Sequence, residues 1–160
     1  MRVSAKTRVT APLERVWSLV ADPERALDYM SGTTRWEVAS EPSTGVGAKY
    51  RILFQVGSAE VGGLVEVVEF APPYELAWTS LTGVDQRGRW RLRPLPGGLT
   101  AIELRLAYGV AGSGLSGWIA ERVAAPTIRG HVRGSIQQLA RLVEYEQLRD
   151  AAAQRRAGAP

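Results

Sequence analysis

Between Thr33 and Val110, apolar and polar residues alternate in segment after segment, and this restricts the fold more than any other feature of the chain. In "KYRILFQV", Tyr50, Ile52, Phe54 and Val56 share one face, with Arg51 and Gln55 on the other. "AEVGGLVEVVEF" groups Val61, Val65 and Val67. "YELAWTS" sets Leu76 and Trp78 against Glu75 and Thr79. "QRGRWRLRP" sets Trp90 and Leu92 against Arg87, Arg89, Arg91 and Arg93. "LTAIELRLAYGV" sets Ile102, Leu104, Leu106 and Tyr108 against Glu103 and Arg105. A period of two is the mark of a half-buried strand. With "TTRWEVAS" the segments make six strands, joined at the glycine- and proline-rich turns "STGVGA", "APP" and "PGG". One dry face and one wet face imply an antiparallel sheet. The arginine row is expected on the wet face, matched by Glu66, Glu75 and Glu103 on other strands. Contact with an acidic partner is the functional alternative there. A one-residue slip would turn the row inward, towards an anionic ligand, but Trp90 and Leu92 oppose that register.

Helical patterns bracket the strands. "RVSAKTRVT" is an opening strand, with Val3, Ala5, Thr7 and Val9 on one face. In "APLERVWSLVADPERALDYM", Pro12 suits a first helical turn, and Val16, Trp17 and Val20 share one side. Asp22-Pro23 ends that helix and starts a second, to about Met30. A long helix is predicted from about Leu115 to Arg149. Its stripe is Trp118, Ala125, Ile128, Val132, Ile136, Leu139 and Val143. Pro126, Gly130 and Gly134 weaken this helix, at about 3 kcal/mol for an interior proline and about 1 kcal/mol per glycine. Either the helix bends at Pro126, or Pro126 ends one helix and begins another while the glycines mark close backbone approach. The order is one strand, two short helices, six strands and one long helix. That is an α+β domain over residues 1–148, with a frayed, solvated tail at 149–160.

Composition removes several chemistries. The chain has no cysteine, so disulfides, thiolate zinc sites and cysteine nucleophiles are out. With one histidine and no ligand-type spacing, no metal site and no cofactor are expected. The net charge is +4, and "RDAAAQRRAGAP" holds three arginines against one aspartate. The remaining body is too weakly basic to imply a nucleic-acid partner. No segment reads as a signal peptide or a membrane span, so the expected location is cytoplasmic. "GSGLSG" at 112–117 lacks the Lys and Ser/Thr of a phosphate-binding loop. It reads as a flexible connection that could gate a site, with Ser116 available as a helix cap. His131 and Ser135 lie one turn apart, but neither flank resembles a nucleophile elbow.

Five local patterns occur in an order that resembles the helix-grip fold of the START-like (SRPBCC) superfamily. The similarity is greatest to its bacterial polyketide cyclase–dehydratase-like members. The patterns are "VTAPLERVWSLVADPERALDYM", "GVGAKYR", "VEVVEFAPPYELAWT", "LRPLPGGLTAIEL" and "IQQLARLVE", within residues 3–145. The resemblance implies about seven antiparallel strands curled around the C-terminal helix, with an apolar cavity between them. A bend at Pro126 would lift the first half of the helix into a roof. The expected cavity walls are Trp36, Tyr50, Ile52, Phe54, Val65, Val67, Trp78, Trp90, Ile102, Leu104, Leu106, Tyr108, Trp118, Ile128 and Val132, with Tyr29 and Met30 near the mouth. Tyrosine hydroxyls and tryptophan N–H groups would supply donors among apolar walls.

The resemblance fits three functions, because a shared fold does not transfer activity. The first is binding of a hydrophobic small molecule, such as a lipid or polyketide-like compound, for transport, sensing or sequestration. The second is a polyketide cyclase, aromatase or dehydratase, for which His131 and Tyr108 are the candidate proton-transfer groups. The third is an interaction module resembling chaperone co-activators, supported by the arginine row and the tail. A monomer or a homodimer is expected.

Overall fold

The computed structural model describes the backbone of residues 1–109 and 115–159, and the side chains of 1–109 and 122–159. Strand β1 (Arg2–Val9) leads into helix α1 (Leu13–Val20), a 3-10 turn (Pro23–Arg25) and the one-turn helix α2 (Ala26–Tyr29). Six strands follow: β2 (Thr33–Val38), β3 (Lys49–Val56), β4 (Ala59–Ala71), β5 (Glu75–Ser80), β6 (Asp85–Leu95) and β7 (Leu99–Gly109). Helix α3 spans Leu115–Ala157. The seven strands form one antiparallel sheet in the order β1-β7-β6-β5-β4-β3-β2. After the two short helices the chain returns at the far edge from β1, and the meander then works back to it. The curved sheet grips α3, which packs mainly against β1 and also touches β7 and β3.

The pleat places the alternating apolar sets where their periodicity predicts. Tyr50, Ile52, Val65, Val67, Leu76, Trp78, Trp90, Leu92, Ile102 and Leu104 are buried on the concave face. They meet Ile128, Val132, Ile136, Leu139 and Val143 of the α3 stripe, in which Ala125 is also buried. Strand β4 departs from strict alternation. A bulge between Val67 and Glu69 adds one residue and carries Phe70 to the inner side. There Phe70 packs on Trp17 of α1, with ring centroids 5.3 Å apart.

Helix α3 corrects two boundaries. It continues past Arg149 to Ala157, because Ala151, Ala152 and Ala153 are strong helix formers. Arg15 of α1 also holds Asp150 at 2.8 Å. Pro126 does not divide the helix; it stands exposed within it. Of the glycine-rich stretch 112–117, residues 112–114 lie outside the described residues, and Leu115–Gly117 belong to the first turns of α3. The side chains of Ser116 and Trp118 are likewise outside them.

Candidate functional site

The reason for a glycine at position 134 lies at the corner between α2 and β2. Ser31 seats directly on α3, and a Cβ on Gly134 would stand 2.7 Å from its Oγ. The Ser31 N–H donates to Ser135 Oγ at 2.9 Å, and that hydroxyl donates to the His131 carbonyl at 2.7 Å. Gly32, at φ +74°, lies under the His131 ring, where a Cβ would fall among the ring atoms. His131 Nε2 reaches the Gln55 carbonyl at 2.7 Å. A carbonyl only accepts, so Nε2 carries the proton. The Gln55 N–H in turn donates to the Gly32 carbonyl at 2.8 Å. Small residues are thus placed where the corner closes onto the helix.

Beside this corner is an apolar cavity of about 40 Å³. It is lined by Met30, Ser31, Thr33, Trp36, Ile52, Phe54, Trp78, Gln86, Leu104, Leu106, Ile128, His131, Val132 and Ser135. Three of these residues carry buried N–H groups with no hydrogen-bond partner: Trp36 Nε1, Trp78 Nε1 and Gln86 Nε2. Trp36 and Trp78 meet edge to face at 6.0 Å. A buried donor without a partner costs roughly 1–3 kcal/mol. Three such donors belong to side chains that line one cavity, a set suited to acceptor atoms.

Nine of the expected wall residues surround this cavity: Met30, Trp36, Ile52, Phe54, Trp78, Leu104, Leu106, Ile128 and Val132. Others lie elsewhere. Val65, Val67 and Ile102 share the inward parity and are buried, but sit farther along their strands and do not line the cavity. Tyr29, Tyr50 and Trp90 border a space of about 10 Å³ behind Trp36 and Trp78. The tyrosine hydroxyls are already satisfied: Tyr29 OH donates to the Leu19 carbonyl at 3.2 Å and Tyr50 OH to the Ser43 carbonyl at 2.7 Å. Tyr108 lies at the β1 edge, where its hydroxyl contacts Met1 Sδ at 2.8 Å, and it does not line the cavity. Ser31, Thr33, Gln86 and Ser135 are additions that periodicity does not single out. Gln86 is the most readable of them, since it shares parity with Trp90 and Leu92 on β6.

Burial, reinforced by the charge of Asp22, pushes the Tyr50 hydroxyl up to about 12 from 10.0. The folded chain therefore keeps this proton to higher pH than the unfolded chain does. Its stabilising contribution is complete below about pH 10 and falls as pH rises towards 12. Burial also raises the Tyr29 hydroxyl. In urea unfolding between pH 9 and 12, Tyr50→Phe is expected to flatten the alkaline loss of stability, leaving a residual slope from Tyr29. An unchanged slope would refute this assignment.

A curved antiparallel sheet gripping a long helix, with an apolar cavity between them, defines the START-like helix-grip class. The chain belongs to the polyketide cyclase/dehydrase and lipid transport family, whose model matches residues 1–144. Solved structures share the fold, among them the three that follow. A protein from Thermus thermophilus, TTHA0849, is 23% identical, with a TM-score of 0.76 over 89% of this chain and 97% of its own. The Zhui aromatase/cyclase from Streptomyces sp. R1128 is 20% identical, with a TM-score of 0.76 over 90% and 93%. A START superfamily protein from Mycobacterium smegmatis is 19% identical, with a TM-score of 0.69 over 92% and 98%. No curated protein matches the chain. Among the described residues, no helix is long and apolar enough to cross a membrane, and no cluster of three or more His, Cys, Asp or Glu could hold a metal ion.

Proposed function

We propose that the protein binds a hydrophobic small molecule carrying hydrogen-bond acceptor oxygens in the cavity between the sheet and α3. The observation that carries this reading is the set of three unpartnered buried donors, Trp36 Nε1, Trp78 Nε1 and Gln86 Nε2, on three side chains that line one apolar cavity. A purely hydrocarbon ligand would leave them unpaired, whereas ketone or ester oxygens would satisfy them. At about 40 Å³ the cavity holds little more than water, far below the roughly 300–1,000 Å³ of small-molecule pockets. Binding therefore requires a wall to move. The Ser31–Gly32 corner fits that part, because few hydrogen bonds hold it to α3 and β3.

The lining favours binding over catalysis. Among the described residues, His131 is the only imidazole in the lining, and its Nε2 is committed to the Gln55 carbonyl. No carboxylate, lysine or arginine among the described residues faces the cavity to complete a proton relay.

The test uses tryptophan fluorescence titration and native mass spectrometry with a long-chain methyl ketone and an alkane of equal length. The ketone is expected to bind more tightly. Gln86→Leu and Trp36→Phe should each weaken ketone binding about tenfold, the equivalent of one hydrogen bond near 1.4 kcal/mol, while leaving alkane binding unchanged. Equal affinity for both probes, or no saturable binding, overturns the proposal. Turnover of a model poly-β-ketone that is lost in His131→Ala would replace it with the cyclase reading.

A further inference from the structure

The opposite face of the sheet carries a charge pattern that the fold does not neutralise. Across β1, β7 and β6, the register aligns Arg2 with Ala107 and Arg87, and aligns Arg8 with Ala101 and Arg93. Each row is two arginines flanking an alanine. The arginine Cα atoms in a row are about 10 Å apart, two strand spacings. Between these rows lie Ser4–Arg105–Arg89 and Lys6–Glu103–Arg91. The inner rows are compensated: Arg89 binds Glu69 and Glu75, Arg91 binds Glu75, and Glu103 holds Arg105. The outer rows are not. Arg2, Arg8, Arg87 and Arg93 are exposed and make no ion pair among the described residues.

On β1, β7 and β6 this face holds eight cations, Arg2, Lys6, Arg8, Arg87, Arg89, Arg91, Arg93 and Arg105, against Asp85 and Glu103, with Glu69 and Glu75 reaching in from β4 and β5. The alanines leave room between the arginines. An open hollow of about 740 Å³ runs past Arg2, Arg87 and Ala107, and another of about 390 Å³ past Arg8, Arg93 and Ala101.

We propose that this outer face of β1, β7 and β6 docks an acidic segment of a partner protein, with carboxylates held in the two arginine-flanked clefts. The clefts are about 20 Å apart along the strands, at about 3.4 Å per residue. A helix of about 13 residues covers that span. Guanidinium groups on both sides of an alanine match the bidentate geometry of carboxylates. The outward positions of the three strands carry no aromatic ring, so nothing there stacks nucleobases or anchors in a bilayer interface. Among protein, nucleic acid and membrane, charge and shape favour protein.

The test measures binding of fluorescein-labelled poly-L-glutamate, single-stranded DNA and phosphatidylglycerol vesicles to the intact chain. Poly-L-glutamate is expected to bind in a salt-sensitive way and in preference to the other two probes. Arg87→Glu/Arg93→Glu should weaken that binding at least tenfold. Arg155→Glu/Arg156→Glu, on exposed positions near the end of α3, makes the same change in net charge and should weaken it less than twofold. Arg2→Gln/Arg8→Gln, a milder change on a separate strand, should weaken it about threefold and supplies the test if the first variant does not fold. Equal losses for the sheet and α3 variants, tighter binding of DNA or vesicles, or no binding of poly-L-glutamate would overturn the proposal. Methyl ketone binding on the other face should be unaffected, so the two readings fail independently.

Discussion

Trp90→Ala is expected to lower the unfolding free energy by about 3–5 kcal/mol, the range for emptying a large aromatic site in a core. Trp90 is 1% exposed and meets Tyr29 edge to face at 6.0 Å. It ties β6 to the short helix that precedes the cavity corner. A domain of this size holds only about 5–15 kcal/mol in all, so the melting temperature should fall on the order of 10 °C. Trp36→Ala should cost less, because Trp36 is only half-buried and borders the cavity. Urea unfolding of both variants checks the contrast. A loss below about 1 kcal/mol for Trp90→Ala would mean that this ring does not bear on the core as described.

Gly32→Ala should be the most damaging change at the site itself, at about 1.5–3.5 kcal/mol from two separable causes. A left-handed backbone costs a non-glycine residue about 1–2 kcal/mol, and Gly32 has φ +74°. The new methyl would also evict the His131 ring, breaking its bond to the Gln55 carbonyl, worth about 0.5–1.5 kcal/mol. A double-mutant cycle separates the two. In a His131→Ala background, Gly32→Ala should cost only the backbone part, giving a coupling of about 0.5–1.5 kcal/mol. Equal costs in both backgrounds would show that the ring is not the obstacle. If the corner is the moving wall, Gly32→Ala should also speed ketone entry, read by stopped-flow fluorescence.

Much of this architecture is legible in the chain. Alternation along β3, β5, β6 and β7 shows which side chains face the helix, because a strand offers only two faces and water selects between them. The same parity puts the arginine row outside, where Glu69 and Glu75 meet it. Parity says nothing of position along the sheet. Val65 and Ile102 therefore look like wall residues, yet they are buried away from the cavity, while Gln86 lines it. The bulge after Val67 is hidden for a related reason: it depends on how β4 pairs with β5, not on β4 alone.

The helix divides in the same way. Its buried stripe follows from a 3.6-residue period, and its weakness at Pro126, Gly130 and Gly134 is plain from intrinsic propensity. Why Gly134 is small is not, because Ser31, which occupies that space, is more than a hundred residues away in the chain. Local periodicity by itself determined the elements, their order and, β4 beyond its bulge aside, their buried faces, since those depend on neighbours a few residues apart. Tertiary structure alone decided which donors stay unpaired around the cavity and which arginines stay uncompensated on the outer face. Both depend on partners brought together by strand register and helix docking, and no local pattern encodes that.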